Sequence, residues 1–208
     1  MGKDGTIEEQ APGALHGFLP RHVVAGPDAA LVELAGPVHP GRAVDLGAGE
    51  GRNSLWLAAQ GWDVVAVDLS KESVARVDER AEVRGVHVEC VAADMEEYLE
   101  DGKTFDLVVI ANIHPAPADR RRVLSAAASA VAPRGHLFFV GHHRDSFGAA
   151  GPPDAERLYT EEIVREAFSE LDDLLVERLD RPLGDVPYPV VDVVAWASRG
   201  GKAGDGEH

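Results

Sequence analysis

The sequence predicts an α/β fold: a single parallel sheet with helices on both faces, built from seven strands of which the last is antiparallel. Three observations carry that prediction. From residue 42 onward, apolar runs of strand length alternate with stretches of helical period. The run FDLVVIA at 105–111 is too continuously apolar for a strand with one wet face and fits a strand covered on both. The last two strand-like runs are joined by a short segment holding Pro182, Gly184, Pro187 and Pro189, with no room for a crossover helix, so they pair antiparallel.

The elements follow in order. Residues 1–12 and 200–208 are polar and glycine-rich and read as disordered tails, while 13–40 reads as a helical lid or substrate segment ahead of a domain at 41–199. A buried strand at 42–46 leads into a helix over 53–60, closed by Gly61 just past its end. The second strand spans 62–68. Ser70 is a good N-cap for a helix reaching about Arg84, closed by Gly85. A third strand covers 86–92, and Asp94 opens a short acidic helix around 96–100. After the strand at 105–111 come a helix over 119–131, stopping before Pro133, and a fifth strand over 135–141. The loop at 142–158 is long enough to suggest a lid. Thr160 caps a helix to about Phe168, and strands at 174–179 and 190–198 complete the sheet.

Composition narrows the function classes. A chain of 208 residues fits one domain with a core that needs no staples. No apolar run approaches the ~18 residues of a membrane span, and the N-terminus lacks a secretory pattern. Cys90 is the single cysteine, which excludes an internal disulfide and a cysteine-built metal site. The expected address is cytoplasmic. A formal charge of −16 disfavours nucleic acid as a partner, since phosphate binding relies on clustered Lys and Arg. Only Arg120, Arg121 and Arg122 cluster, at a helix start where exposure explains them. The expected state is a monomer or homodimer.

The most informative stretch is RAVDLGAGEGRNSLW at 42–56, a strand that stops on Gly47, Gly49 and Gly51 and turns at once into a helix. A dinucleotide fingerprint of G-x-G-x-x-G would place its third glycine at position 52, where this chain has Arg52. The pattern is instead acid-x-G-x-G-x-G with Asp45 inside the strand. It resembles motif I of the class I S-adenosylmethionine-dependent methyltransferases, whose sheet is Rossmann-like with a reversed last strand. That resemblance implies S-adenosylmethionine as cofactor. Gly47 and Gly49 then remove Cβ atoms where the methionine part of the cofactor lies, and Asp45 offers a carboxylate near its amino group.

Two further acids fall at strand ends, where open α/β sheets bind ligands. Asp68 ends the second strand and suits a bidentate contact with the ribose hydroxyls, with Leu69 as an apolar wall beside the adenine. Asp94 follows the third strand and suits the adenine amine, between Ala93 and Met95. The bland alternatives are helix capping by Asp68 with Ser70, and capping by Asp94 of its own short helix. The stretch VDLGAGEGRNSLWLAAQGWDVVAVDLS is further similar to the tellurite-resistance (TehB-like) small-molecule branch of that family, over about 42–140. From that branch Arg52 and Asn53 are implied as pocket residues, and Ala48 and Ala111 complete the cofactor set. Residues before 40 and beyond 142 match no such pattern, so tellurite is not implied as substrate.

Methyl transfer from a sulfonium needs in-line positioning, with a general base where the acceptor carries a proton. His114, after the fourth strand, and His142, after the fifth, are the candidate catalytic residues. His143 is a further candidate, with Asp145 close enough in sequence to orient one of the pair. A metal site from His114, His142, His143 and Asp145 lacks a helical H-x-x-x-H spacing, so no metal is expected. His16 and His22 could close over the substrate, and Cys90 reads as a small core residue. The run ANIHPAP at 111–117 lacks the Asn/Asp-Pro-Pro-aromatic pattern of nucleobase amino-methyltransferases. The expected activity is therefore methyl transfer to a small molecule, with natural-product metabolism as one setting. The competing expectations are a non-methylating reaction such as cyclisation in the same pocket, a non-catalytic nucleotide-binding partner subunit, and an oxidoreductase, which Arg52 opposes.

Overall fold

The structure of the chain, a computed structural model, describes residues 26–181 and 190–201. Strand β1 (Arg42–Leu46) lies parallel between β2 (Asp63–Asp68) and β4 (Phe105–Ala111). Strand β3 (Val88–Ala92) pairs with the outer side of β2, and β5 (Val131–His142) with the outer side of β4. Strand β7 (Val190–Ser198) runs antiparallel between β5 and β6 (Asp172–Arg181), so the order is β3-β2-β1-β4-β5-β7-β6. The expected α/β sheet with a reversed last strand is what the chain forms. Its order reverses between β1 and β4, and the crevice outside the carboxyl ends of strands at such a reversal is where open sheets take ligands.

Period-two side chains explain the two faces. Val44, Leu46, Val108, Ile110 and Phe139 pack on one face, with α4 (Met95–Leu99), α5 (Pro117–Ser129) and α6 (Glu161–Ala167). Ala43, Leu107, Val109 and Phe138, the alternate residues, pack on the other with α1 (Ala29–Ala35), α2 (Arg52–Ala59) and α3 (Lys71–Arg84). Each large side chain removed from water contributes about 1.5–3 kcal/mol, and those of β4 from Leu107 to Ile110 are fully buried. That double burial is the reason for its continuous apolar run. Ser70 caps α3 by accepting the Ser73 N–H, and Gly85 closes it in the left-handed conformation.

Boundaries moved where local signals compete. The sequence suggests a helix over 119–131, whereas α5 runs Pro117–Ser129, because Pro117 sits at the first turn where its missing N–H costs nothing. Strand β5 then starts at Val131, before Pro133, and pairs with β4 across a register shift between Phe105 and Leu107. Strand β3 begins at Val88, not 86, and β6 covers Asp172–Arg181, longer than the expected 174–179. The tails, His16, His22 and the proline-rich joint at 182–189 lie outside the described residues. Of the expected 13–40 segment, α1 is described, capped by the Asp28 side chain on the Ala30 N–H.

Candidate functional site

The β1–α2 turn is organised by two acids. Gly51, at the N-cap of α2, has no side chain to satisfy the first helical N–H groups. Asp45 does this from within β1: its Oδ2 accepts the Ser54 N–H at 3.1 Å and the Ser54 hydroxyl at 2.6 Å. The carboxylate is only 1% exposed, and burial, opposed by the bonds from Ser54, raises its pKa to about 6. Asp68, at the end of β2, accepts the Gly49 N–H on Oδ2 at 2.8 Å and the Ser70 N–H on Oδ1 at 2.9 Å. It thereby clamps the glycine turn, and the helix-capping role falls to Ser70 alone.

The glycines divide their work. A Cβ on Gly51 would meet Val77 of α3 at 2.8 Å, so this glycine serves helix packing. A Cβ on Gly47 would lie 2.2 Å from Ile113 Cδ1, so a protein side chain, not empty space, covers that turn. Only at Gly49 is the space open.

A cleft of about 340 Å³ opens at the sheet's reversal point, within the range of small-molecule sites. Of the residues expected at a cofactor, Gly47, Asp68, Leu69, Ala93, Asp94 and Met95 line it, joined by His114. Leu69 is 73% exposed, an apolar side chain standing in solvent at the rim. Asp94 caps α4 through Oδ1, which accepts the Glu96 and Glu97 N–H groups and leaves Oδ2 outside the cap. The bland role foreseen for Asp94 is thus real and uses one oxygen.

Other expected residues are elsewhere. Asp45, Ala48, Gly49, Asn53, Ala111 and His142 are not among the residues lining the cleft. Asn53 is buried, and its Oδ1 accepts the Asp28 N–H at 2.9 Å, while Arg52 ion-pairs with the Asp28 carboxylate at 3.5 Å. Both side chains anchor α1 across α2. Sequence reasoning missed Asn112, Ile113 and Arg157, which do line the cleft. Asn112 carried a signal, as an Asn right after a buried strand tolerates the left-handed backbone it adopts, φ 59°. Its Oδ1 is buried without a hydrogen-bond partner among the described residues. Arg157 carried none, because its Nε donates to the His114 carbonyl at 2.8 Å from 43 residues away.

The histidines separate sharply. His114 Nδ1–H donates to the Asn112 carbonyl at 3.1 Å, and Nε2 accepts the His142 backbone N–H at 3.0 Å. Burial, then the neighbouring His142, pushes its pKa down to about 4, so the ring is neutral at pH 7 with its lone pair already bonded. In this arrangement His114 has no free ring lone pair to offer as a base. His142 stacks on His114 with centroids 5.1 Å apart, and its Nδ1 lies 2.8 Å from Asp192 Oδ1. Asp192, not Asp145, therefore orients it. Asp145 instead pairs with Arg178 and donates its N–H to His143 Nδ1 at 3.0 Å, and His143 reaches Glu161 at 3.1 Å through Nε2. Among the described residues, no group of three or more His, Cys, Asp or Glu is arranged to hold a metal ion.

The loop suspected as a lid is fastened down. The Ser146 hydroxyl donates to the Val191 carbonyl at 2.7 Å and accepts the Val191 N–H at 2.6 Å. Tyr159 is fully buried, packs edge-on against Phe139, and donates its hydroxyl to the Ile113 carbonyl at 2.7 Å. Burial raises the Tyr159 pKa and keeps that donor protonated. Gly141 makes room for the ring, as a Cβ there would lie 2.6 Å from it.

The acceptor groups and apolar lining of the cleft fit a nucleoside. Asp68 keeps one acceptor site on each oxygen after its backbone bonds. Asp94 Oδ2 is a further acceptor, and Leu69, Met95 and Ile113 supply apolar surface.

Comparison with known proteins agrees. Residues 43–135 match the family model described as a methyltransferase domain. The ubiquinone biosynthesis O-methyltransferase of Rhizobium etli is 32% identical over 116 residues, covering 56% of this chain and 47% of that protein. The tRNA 5-carboxymethoxyuridine methyltransferase of Escherichia coli K12 is 32% identical over 109 residues, 49% of this chain and 41% of that protein. The chain thus spans about half the length of the curated relatives it matches. Among solved structures, TehB from Haemophilus influenzae superimposes with a TM-score of 0.65 at 19% identity, covering 82% of this chain and 61% of that one. A protein studied in the conversion of a disulfide into a thioacetal during echinomycin biosynthesis gives 0.66 at 21% identity, covering 86% and 84%. At those identities the likeness shows the fold.

Proposed function

The chain belongs to the class I S-adenosylmethionine-dependent methyltransferases, and from that premise we propose that it transfers a methyl group to a small-molecule acceptor. One observation carries the proposal. Asp68, Asp94 and Asn112 line one cleft at the point where the strand order reverses. When bound, the cofactor's sulfonium supplies an electrophilic methyl.

The chain's own residues then have assignable tasks. Asp68 takes the ribose hydroxyls with its remaining lone pairs, and Asp94 Oδ2 takes the adenine amine. Leu69 and Met95 cover the adenine faces, with Ala93 beneath. Asp45 sets the start of α2 and, through it, the turn at Gly49. Ala48 ties that turn to β2 through its N–H on the Val67 carbonyl, Asn53 anchors α1 to α2, and Ala111 ends β4. His114 serves as a neutral wall whose hydrogen bonds fix the 112–116 loop, leaving His142 as the histidine with a proton-accepting nitrogen to offer. The proposed setting is the cytoplasm, consistent with the acidic charge and a single cysteine.

The relative acting on tRNA favours one competing acceptor, an RNA. The charge of −16 weighs against it, because phosphate contacts need local cation density. Isothermal titration with S-adenosylhomocysteine tests the cofactor half: saturable binding at one site is expected, and no heat at millimolar ligand overturns it. Filter binding of bulk tRNA tests the acceptor half, with no retention at 150 mM salt expected. Retention that falls steeply with salt would move the acceptor to RNA.

A further inference from the structure

The hydrogen bonds around His142 form a chain across three strands. Arg181 of β6 donates from Nε at 3.0 Å and from Nη2 at 2.6 Å, both to Asp192 Oδ2. Asp192 lies in β7 within the apolar run VVDVVAW and is 1% exposed. Its other oxygen, Oδ1, meets His142 Nδ1 at 2.8 Å. A buried acid in the middle of an apolar strand costs several kcal/mol unless it is paired. Pairing with Arg181 alone would meet that need. Spending the second oxygen on a histidine at the carboxyl end of β5 does something more.

A carboxylate whose charge is held by Arg181 can only accept, so the proton between Asp192 and His142 rests on Nδ1. In the neutral ring this leaves the lone pair on Nε2. The charged and titratable groups around His142 are Asp192 on β7, Arg181 beyond it on β6, and His114 stacked on its face; Arg157 reaches the far side of His114. Of the stacked pair, His114 has its own Nε2 committed to the His142 backbone N–H. The His142 side chain is 15% exposed, so its ring is neither sealed in the core nor free in solvent.

We propose that Arg181, Asp192 and His142, whose ring stacks on the cleft-lining His114, form a proton-accepting unit, with His142 Nε2 as the general base and Asp192 as its positioning residue. The substrate class follows: an acceptor whose attacking atom is a protonated heteroatom, a hydroxyl or an amine, and not a nucleophile already ionised. The balance is closed. The heteroatom's lone pair forms the bond to the methyl carbon, the C–S pair leaves with sulfur as a neutral thioether, and the heteroatom's proton passes to Nε2. The resulting imidazolium is held by Asp192, as in other base–orienter pairs. The inference takes its chemical meaning from the methyl-transfer reading above.

The test uses the full chain labelled with ¹⁵N-histidine. Long-range ¹H–¹⁵N correlation at pH 8, with His142 assigned by loss of its signals in His142→Gln, is expected to show the Nδ1–H tautomer. Asp192→Asn is expected to convert most of it to the Nε2–H form, and Asp192→Glu to retain it. Carbethoxylation by diethylpyrocarbonate, read by mass spectrometry, is expected to modify His142 and spare His114. An Nε2–H tautomer in the wild type, or an unmodified His142 where exposed His39 reacts, overturns the proposal, and both readouts need only the folded wild type. S-adenosylhomocysteine titration runs alongside, with Asp192→Asn expected to bind within twofold of wild type. If the wild type binds none, the methyl-transfer reading fails while the tautomer result stands by itself.

Discussion

Replacing Asp68 by alanine probes the cofactor site most directly. In the structure each Asp68 oxygen takes one backbone N–H, from Gly49 at 2.8 Å and from Ser70 at 2.9 Å. Two acceptor sites remain, one per oxygen, matching a ribose diol. A hydrogen bond to a charged group is worth about 1.5–3 kcal/mol, and exposure at the cleft rim holds two such bonds to a total of about 2–3 kcal/mol. Asp68→Ala should therefore weaken S-adenosylhomocysteine binding roughly 30- to 150-fold by isothermal titration. Losing the clamp on Gly49 also costs stability, about 1 kcal/mol in urea unfolding. The two effects separate with the 2′-deoxy analogue of the ligand. Wild type should discriminate against it, and Asp68→Ala should not, because the contact is already gone. Equal discrimination by both proteins, or unchanged affinity in a folded variant, would refute the ribose role.

Three other perturbations follow from the same geometry. Gly47→Ala places a Cβ 2.2 Å from Ile113 Cδ1 at a backbone φ of +72°, so urea unfolding should show a loss of about 2–4 kcal/mol. Asp45 has its pKa raised from 3.8 to about 6 in the fold, so the folded state favours the protonated carboxyl. The contribution of Asp45 to stability is thus fully present below about pH 4 and is lost as pH rises through about 6. Asp45→Asn, which never ionises and keeps an acceptor for Ser54, should gain on wild type across that window by about 2–3 kcal/mol, and a pH-independent gap between the two in urea unfolding would contradict this. Tyr159→Phe strips the Ile113 carbonyl of its donor and should cost about 1–3 kcal/mol by the same measurement, with faster amide exchange in the 112–116 loop.

Much of the site was legible in the chain because its recognition elements are local. Asp68 and Asp94 each follow a strand directly, and the chain direction alone delivers them to one edge of the sheet. Leu69, Ala93 and Met95 come with them as sequence neighbours. Where the sequence misled, the competing partner was distant. Asn53 points at Asp28 and not at the cleft, a contact across 25 positions that no local spacing encodes. His114 looked free on a loop, yet tertiary packing occupies both ring nitrogens with backbone groups. Of the two adjacent histidines, His143 is the one that Asp145, near in sequence, contacts, whereas His142 meets Asp192, which is near only in space. An aspartate interrupting an apolar strand was the signal for that partner, since a buried acid must be paired.

The sequence by itself determined the α/β sheet, its reversed last strand and the methyl-donor signature at 42–51, because strand period, helix caps and glycine spacing act over a few residues. Tertiary structure alone decided which acceptors stay unspent. Among the described residues, Asp94 keeps Oδ2 outside its cap, the buried Asn112 side-chain Oδ1 has no partner, and His142 keeps Nε2 while His114 does not. Hydrogen-bond capacity is consumed pairwise across the whole fold, so what remains for a ligand can be counted only after every partner has been placed.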